Sequence, residues 1–389
     1  MQKRYVRIAN ALLDLEPFDS ERSEFYDGGI DPSALRLNNN ESMMAPSPGV
    51  LSAIKNLLER ESLNRFPDPR AVRLKNKIAE YCGMPAEYIG CYPGAGISLE
   101  NILKTFLEPG TEMLTAGAVP ADKLIAARTA GSTVVETDYD NPFSPSLEPV
   151  INNIGKRTRV LYLGNPSEYI GSFFTEAELV FLLAYAENTM IVVDESYFEF
   201  SGFTAADLVR KFPNLTIIRS LSHAFGLAAM NVSYVITDPE NLVYMNRLSA
   251  GYAIDAVSQV AAEAALDDPD YMRRYVSTVN RSKDLISANL PETGYDFYIS
   301  PANFFVLRVS DPESAYDYLK NNGVLVKDLS GINRLEGLIR ITVGIPEQTD
   351  RLLLLLGRAA ERFATGFNRS RIARLSNVEE KNSVKSGLK

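Results

Sequence analysis

The middle of the chain alternates short apolar runs with helical patterns. Residues 160–163, 190–193 and 215–218 are continuous apolar or nearly apolar runs, which predict buried strands. Between the first two runs, residues 175–186 have the periodicity of a helix that begins with a Thr-x-x-Glu capping box. Strands and helices that alternate at this spacing predict a parallel sheet with right-handed crossovers.

Polar side chains follow two of these predicted strands. Asp194 comes directly after residues 190–193, and the segment from Ser220 to His223 follows residues 215–218. Ligands of open α/β sheets bind beyond the carboxyl ends of the strands. We therefore expect Asp194 and His223 to face one crevice.

The pattern changes near residue 270. A long amphipathic helix is predicted first, followed by shorter strand and helix patterns that indicate a smaller α+β domain; they cover residues 271–288, 298–309, 312–321, 324–327 and 338–343. We predict a large domain over 45–270 and a small domain from 271–365 with an N-terminal arm, 1–44. The polar segment 366–389 is predicted to be a disordered tail.

Composition excludes several classes of function. The net charge is −9 and the pI is near 5.0, which argues against nonspecific binding to nucleic acid or to an anionic membrane. Two cysteines and a single histidine provide neither a disulfide framework nor a zinc-site pattern, so no metal is expected. The leucine run 352–356 is too short to span a membrane, and the first residues lack the apolar run of a signal peptide. A cytoplasmic protein is expected.

Four segments carry a resemblance to a known family; they are 37–48 (LNNNESMMAPSP), 64–68 (NRFPD), 192–200 (VVDESYFEF) and 338–344 (LIRITVG). Together they resemble the fold-type I aminotransferases that use pyridoxal phosphate (PLP), and among them the histidinol-phosphate aminotransferase branch. The likeness runs from about residue 30 to 360. It implies an α/β fold, with a large domain whose mostly parallel, seven-stranded sheet is flanked by helices and a smaller α+β domain. It also implies a homodimer in which Phe66 lies near the partner's crevice.

The resemblance assigns roles to residues that match the family. Asp194 would pair with the protonated ring nitrogen of the cofactor, and Tyr197 would bond the ring's 3-oxygen. Ser220 and Ser222 would contact the cofactor phosphate. Arg340 would bind a substrate carboxylate through two parallel hydrogen bonds.

Four further positions follow from the same motifs. Ala95 and Gly96 lie where the family has its phosphate loop, so they would bind the cofactor if one is present. Asn40 belongs to the substrate-side motif near the N-terminus. Lys327 stands where the family has a second substrate arginine, thirteen residues before Arg340.

Other family positions have changed, above all the lysine that forms the Schiff base with PLP, which is His223. An imidazole transfers protons near neutral pH but cannot form an imine. The phosphate arginine is Asn231, Glu168 stands where an asparagine would donate to the ring oxygen, and residues 118–121 contain no ring-stacking aromatic. Losing the phosphate contacts alone would cost about 4–7 kcal/mol. PLP or its amine form PMP is therefore possible but doubtful as a cofactor.

Lys123 lies three residues beyond the missing aromatic segment. A lysine at the start of a helix is expected to be solvated. The other interpretation is that Lys123 has taken over the role of the lost lysine.

These observations leave four hypotheses. In the first, an enzyme acts on a small, amino-acid-like metabolite with a carboxylate or phosphate by acid–base chemistry at His223, helped by Tyr197, Asp194 and Glu168. In the second, a dehydratase or lyase binds PLP or PMP noncovalently and uses His223 as the base. The third is a ligand-binding homologue without catalysis, and the fourth is an ordinary aminotransferase. Neither nucleic acid nor membrane is expected as a partner.

Overall fold

The computed structural model describes residues 33–60, 63–248 and 253–366. They fall into two compact units. The larger unit contains residues Pro46–Glu168 and Ser172–Pro269, and the smaller contains the described residues up to Ala45, Tyr169–Gly171 and those from Asp270. Most of the predicted N-terminal arm and nearly all of the predicted tail lie outside the described residues.

The regular elements of both units are numbered in chain order. The strands are β1 Leu35–Arg36, β2 Ile89–Tyr92, β3 Glu112–Thr115, β4 Thr133–Glu136, β5 Thr158–Gly164, β6 Met190–Asp194, β7 Leu215–Ser220, β8 Ser233–Thr237, β9 Asp296–Ile299, β10 Phe304–Arg308, β11 Val324–Leu325, β12 Lys327–Asp328 and β13 Leu338–Thr342. The helices are α1 Pro48–Arg60, α2 Val72–Cys82, α3 Ala95–Phe106, α4 Ala121–Thr129, α5 Leu147–Asn153, α6 Glu176–Tyr185, α7 Phe198–Ser201, α8 Pro239–Leu248, α9 Ala256–Leu266, α10 Pro269–Asn289, α11 Pro312–Asn321 and α12 Pro346–Phe363.

The larger unit is built on a seven-stranded sheet with the order β2-β8-β7-β6-β5-β3-β4. Strands β3 to β7 pair in parallel, whereas β8 runs antiparallel to both of its neighbours. The three strands predicted from apolar runs are β5, β6 and β7, and all residues of β6 and β7 are buried. The predicted fold class, a mostly parallel sheet flanked by helices, is confirmed.

Helix α6 begins where the sequence predicts. The Thr175 side chain accepts from the backbone of Glu178, and the Glu178 carboxylate accepts from the backbone and the hydroxyl of Thr175. This reciprocal capping box satisfies backbone donors that a helix start leaves unpaired. No helix within the described ranges is long and apolar enough to cross a bilayer.

The smaller unit has two sheets. Four antiparallel strands take the order β12-β13-β10-β9, and β1 pairs in parallel with β11. The long helix α10, together with α11 and α12, completes the smaller α+β domain that the sequence predicts. All residues of β13 are buried, including Arg340.

Candidate active site

Site residues of the larger unit lie at the carboxyl ends of adjacent parallel strands. Asp194 is the last residue of β6 and is paired in register with Ile218 of β7. Ser220 ends β7, and His223 follows in the loop that leads back to β8. Because β6 and β7 run parallel, these residues share one edge of the sheet.

The imidazole of His223 stacks on the ring of Tyr197. The two ring centroids are 4.6 Å apart and the planes are inclined by 23°. Tyr197 is only 4% exposed, so it offers the imidazole a fixed surface. The stack orients the single histidine of the chain, the residue type that most often exchanges protons near neutral pH.

Lys123 is the central cation of the site. Its ammonium Nζ lies 2.9 Å from Asp194 Oδ2, 2.9 Å from Glu168 Oε2 and 2.8 Å from the hydroxyl of Tyr162. The side chain is 13% exposed. The expectation that Lys123 is a solvated residue at a helix start is wrong, because its side chain leaves the helix surface for two buried or half-buried carboxylates.

Asp194 is surrounded by donors. Besides Lys123, the Tyr162 hydroxyl donates to Oδ2 at 2.7 Å, and the backbone and hydroxyl of Ser196 donate to Oδ1 at 3.0 and 2.5 Å. Burial raises the pKa of this carboxyl, but the charge of Lys123 and the hydrogen bonds from Ser196, Lys123 and Tyr162 outweigh burial and hold the pKa below its usual value. Asp194 is therefore an anion that is fixed in place.

The protonation state of Lys123 follows from the same contacts. Burial lowers the pKa of its ammonium, but the charges of Asp194 and Glu168 outweigh that effect and raise the pKa well above its ordinary value. Lys123 is consequently a permanent cation at neutral pH. The Tyr162 hydroxyl stays protonated, since burial and the Asp194 charge raise its pKa.

A rigid loop brings Glu168 to Lys123. The Asn165 amide bonds the backbone of Phe174 in both directions, at 3.1 and 2.7 Å, and the backbone of Asn165 donates to the carbonyl of Asp194. Ser167 closes the loop through its backbone bond to Ser172. The substituted loop that begins at Asn165 thus retains a fixed shape at the end of β5.

Groups suited to a phosphate remain near the start of α3. Ala95 and Gly96 form its first turn after Gly94, whose φ of +95° favours glycine. The amide of Asn231 donates to the carbonyl of Pro93, beside this loop. The hydroxyls of Ser220 and Ser222 bond each other at 3.0 Å.

The smaller unit holds the predicted anion-binding residues. Lys327 of β12 lies directly opposite Arg340 of β13. Side chains of opposed residues project from the same face of a sheet, and like charges placed there repel. An anion that contacts both cations relieves this repulsion. Arg340 is 4% exposed, and its Nη2 donates to the Asn38 carbonyl at 2.7 Å.

Asn40 is tied to the same strand. Its backbone N–H donates to the Thr342 hydroxyl at 2.9 Å, and that hydroxyl in turn donates to the Asn40 side chain at 3.1 Å. The Asn303 amide donates to the Asn40 carbonyl. These bonds hold the segment around Asn40 against β13, two residues from Arg340.

The fold and the strand-end site define this chain as an aminotransferase-type protein. It belongs to the aminotransferase class I and II family, which matches residues 32–354.

Individual relatives agree with this assignment. A histidinol-phosphate aminotransferase of Anaeromyxobacter sp. (strain Fw109-5) is 31% identical over 330 residues, which cover 83% of this chain and 90% of the relative. A dihydroxyacetone phosphate transaminase of Campylobacter jejuni is 30% identical over 322 residues, covering 81% and 87%. The crystal structure of a histidinol-phosphate aminotransferase from Sinorhizobium meliloti in complex with pyridoxal-5'-phosphate superposes with a TM-score of 0.82 at 23% identity, covering 93% and 99%, and shows the same fold.

The residues that would face the ring of PLP do not fit the cofactor in the arrangement that the family resemblance implies. The carboxylate expected to pair with the ring nitrogen is already bonded to Lys123, Tyr162 and Ser196. Residue 223 is an imidazole and cannot form the imine. The groups that would face the cofactor phosphate fit better, because the start of a helix and two serine hydroxyls are groups that bind phosphates.

Sequence reasoning missed two partners of Asp194, namely Tyr162 and Ser196. A signal for Tyr162 exists in the strand pattern. Gly164 of β5 is in register with Asp194 of β6, so Tyr162, two residues earlier, projects from the same face of the sheet as Asp194. A tyrosine hydroxyl on that face of a largely apolar strand indicates that the hydroxyl makes a hydrogen bond to a polar group at the strand end.

Proposed function

We propose that this protein is an enzyme that acts on a small metabolite bearing a carboxylate or phosphate by acid–base chemistry at His223, without a PLP Schiff base. The observation that carries the proposal is the imidazole of His223 stacked on Tyr197. The family resemblance implies that position 223 is that of the catalytic lysine. A positioned imidazole accelerates proton transfer by roughly 10²–10⁴-fold. Tyr197 orients the imidazole, and the Asp194–Lys123–Glu168 cluster fixes the charge at the end of the neighbouring strand β6.

The substrate class rests on the smaller unit. The cross-strand pair of Lys327 and Arg340 suits a carboxylate or a phosphate, and Asn40 supports the strand that carries Arg340. Two of the relatives are named for phosphorylated substrates, histidinol phosphate and dihydroxyacetone phosphate. Dihydroxyacetone phosphate is the first probe, because its carbonyl accepts the electron pair of a neighbouring C–H bond without a cofactor, whereas histidinol phosphate has no such carbonyl.

Hydrogen exchange tests the proposal. The purified protein, with no PLP added, is incubated in D₂O with dihydroxyacetone phosphate, and ¹H NMR follows the loss of the protons next to the carbonyl, whose electron pair the carbonyl accepts as an enediolate. The native protein should exchange these protons above the protein-free rate. His223→Gln should slow this exchange about 100-fold or more, because glutamine cannot accept the proton. Glu59→Gln, at an exposed position of α1, is the control and should leave the rate unchanged.

Two outcomes would contradict the proposal. Exchange that is equal in the native and His223→Gln proteins removes the imidazole from the mechanism. The absence of exchange with dihydroxyacetone phosphate counts against an acid–base enzyme for this substrate class and favours the non-catalytic homologue.

A second candidate is a dehydratase or lyase that binds PLP or PMP noncovalently and uses His223 as the base. The groups suited to bind the cofactor phosphate favour this function, since the start of α3 and the hydroxyls of Ser220 and Ser222 are still present. Exchange that requires added PLP or PMP and still depends on His223 would select this function. An imine band in the absorbance spectrum with full transamination would instead identify an ordinary aminotransferase.

We further propose that the protein is a homodimer, as the family resemblance implies. Three large apolar side chains, one in the first turn of α1 and two beyond its end, support a covered surface: Leu51, Leu63 and Phe66 are 59%, 64% and 80% exposed in the single chain. Light scattering should give twice the chain mass of 43.0 kDa. A mass of one chain would contradict the proposal.

A further inference from the structure

We propose that the Lys123 ammonium takes the place of the cofactor's ring nitrogen, so that the crevice contains a built-in cation and excludes a pyridine ring. This inference rests on the assignment of Asp194 as the family's partner of that nitrogen. In the family arrangement, a protonated ring nitrogen faces the carboxylate. Here a side-chain ammonium faces the same carboxylate at 2.9 Å.

The ammonium is fully bonded in this position. A lysine ammonium has three donors, and three oxygens surround Nζ at 2.8–2.9 Å, from Tyr162, Asp194 and Glu168. Tyr162 is 2% exposed and bonds Asp194 as well as Lys123, which closes a ring of hydrogen bonds. A pyridine nitrogen could reach Asp194 only by breaking this network.

Lys123 explains how the site accommodates Glu168, which stands where the family resemblance implies an asparagine. Glu168 without Lys123 would add a second carboxylate to a site that already holds Asp194. Lys123 without Glu168 would lack one of its two anionic partners. Together they form a cluster of two carboxylates and one ammonium, in which breaking any pair leaves a poorly solvated charge.

The same geometry argues against Lys123 as a relocated Schiff-base lysine. An amine attacks a carbonyl only when it is unprotonated. Two carboxylates keep the Lys123 ammonium charged, and they hold Nζ against Asp194, at the ring-nitrogen position. The carbonyl of PLP would instead be near residue 223, where the family has its lysine.

Titration with PMP tests the exclusion directly, because PMP carries an amine and forms no imine with a lysine. Isothermal titration compares the native protein with the double variant Lys123→Met/Glu168→Gln, which removes the ammonium and its outer carboxylate together. The native protein should show no saturable binding at micromolar PMP, and the double variant should bind at least tenfold more tightly. The control is Lys104→Met/Glu100→Gln, an exposed pair on α3 that should behave like the native protein.

The proposal would be overturned if native protein bound PMP as tightly as the double variant, or if neither protein bound it. Failure of the His223 exchange test leaves these PMP results unaffected. PMP binding to the native protein, in contrast, removes the Lys123 claim and leaves the His223 claim standing.

A second measurement needs no substitution at the site. Reductive methylation of the native protein, followed by peptide mass mapping, should leave Lys123 unmodified while Lys55 and Lys104, with side chains 77% and 50% exposed, are methylated. Methylation of Lys123 as fast as Lys104 would contradict the proposal. A PLP adduct on Lys123 after borohydride treatment would do so as well.

Discussion

At the scale of single residues, two side chains carry the proposed chemistry. Position 223 is a histidine where the family resemblance implies the Schiff-base lysine, and Lys123 supplies an ammonium bonded to Asp194. An imidazole exchanges protons near neutral pH, whereas the Lys123 ammonium is held as a fixed charge. We therefore propose that proton transfer and charge balance belong to different side chains.

Lys123→Met should lower the free energy of unfolding at pH 7 by about 3–5 kcal/mol, because Asp194 and Glu168 lose their shared cation. The loss should shrink as the pH falls toward 4.5. In the native protein the pKa of Asp194 is depressed, so its stabilisation persists until the pH falls through that low value. In the variant, burial without the cation raises this pKa, and protonation relieves the unpaired charge at higher pH.

Urea unfolding at both pH values measures this effect, and Lys104→Met is the control. Its exposed pair with Glu100 should contribute less than about 1 kcal/mol at either pH. An equal loss for Lys123→Met at both pH values would contradict the charge-pair interpretation.

The sequence predicts Asp194 and His223 more readily than Lys123. Asp194 directly follows one apolar run and His223 lies in the segment after the next, and the edge of a parallel sheet brings such residues together. Lys123 meets its partners only through the tertiary fold, since Tyr162 and Asp194 are 39 and 71 residues away in sequence. No local pattern encodes contacts of that length.

At the scale of elements, a buried ion pair joins the ends of β6 and β7. Arg219 donates through Nε and Nη2 to Glu195 at 3.0 and 2.9 Å, and the side chains are 3% and 0% exposed. Glu195 also accepts from Thr204 and the backbone of Ala205. The pair therefore fixes the strand ends that present Asp194 and Ser220.

Glu195→Gln should lower the free energy of unfolding by about 3–5 kcal/mol, because it leaves the Arg219 guanidinium buried without its anion. Asp270→Asn is the matched control, since its pair with Arg273 is 73% and 65% exposed and should contribute less than about 1 kcal/mol. Chemical unfolding measures both variants. Similar losses for the two would refute the interpretation of Arg219 as a buried, paired cation.

Element boundaries are predictable where the sequence carries a cap. Helix α11 covers the predicted residues 312–321, because Asp311 accepts from the backbone of Ser314 and Pro312 occupies the first turn. The predicted strand 324–327 is instead two strands, β11 and β12, which pair with β1 and β13 in separate sheets. An apolar run predicts extended backbone but does not identify its pairing partner.

At the scale of the whole molecule, the fold class is confirmed and the chemistry remains a proposal. Apolar runs and family motifs specify the sheet, since both depend on burial and on local sequence. The function depends on which side chains meet at the strand ends. There the larger unit contains an imidazole stacked on Tyr197 and an Asp194 already paired with Lys123.

The central claim is that the His223 imidazole itself transfers the proton. Its most direct test is chemical rescue of His223→Gly, which leaves a gap beside Tyr197 that a free base can enter. Hydrogen exchange of dihydroxyacetone phosphate, without PLP, should fall about 100-fold or more in the variant. Added imidazole should restore it in proportion to its concentration, with no effect on the native protein. No rescue by imidazole, or rescue only by a primary amine together with PLP, would contradict the account.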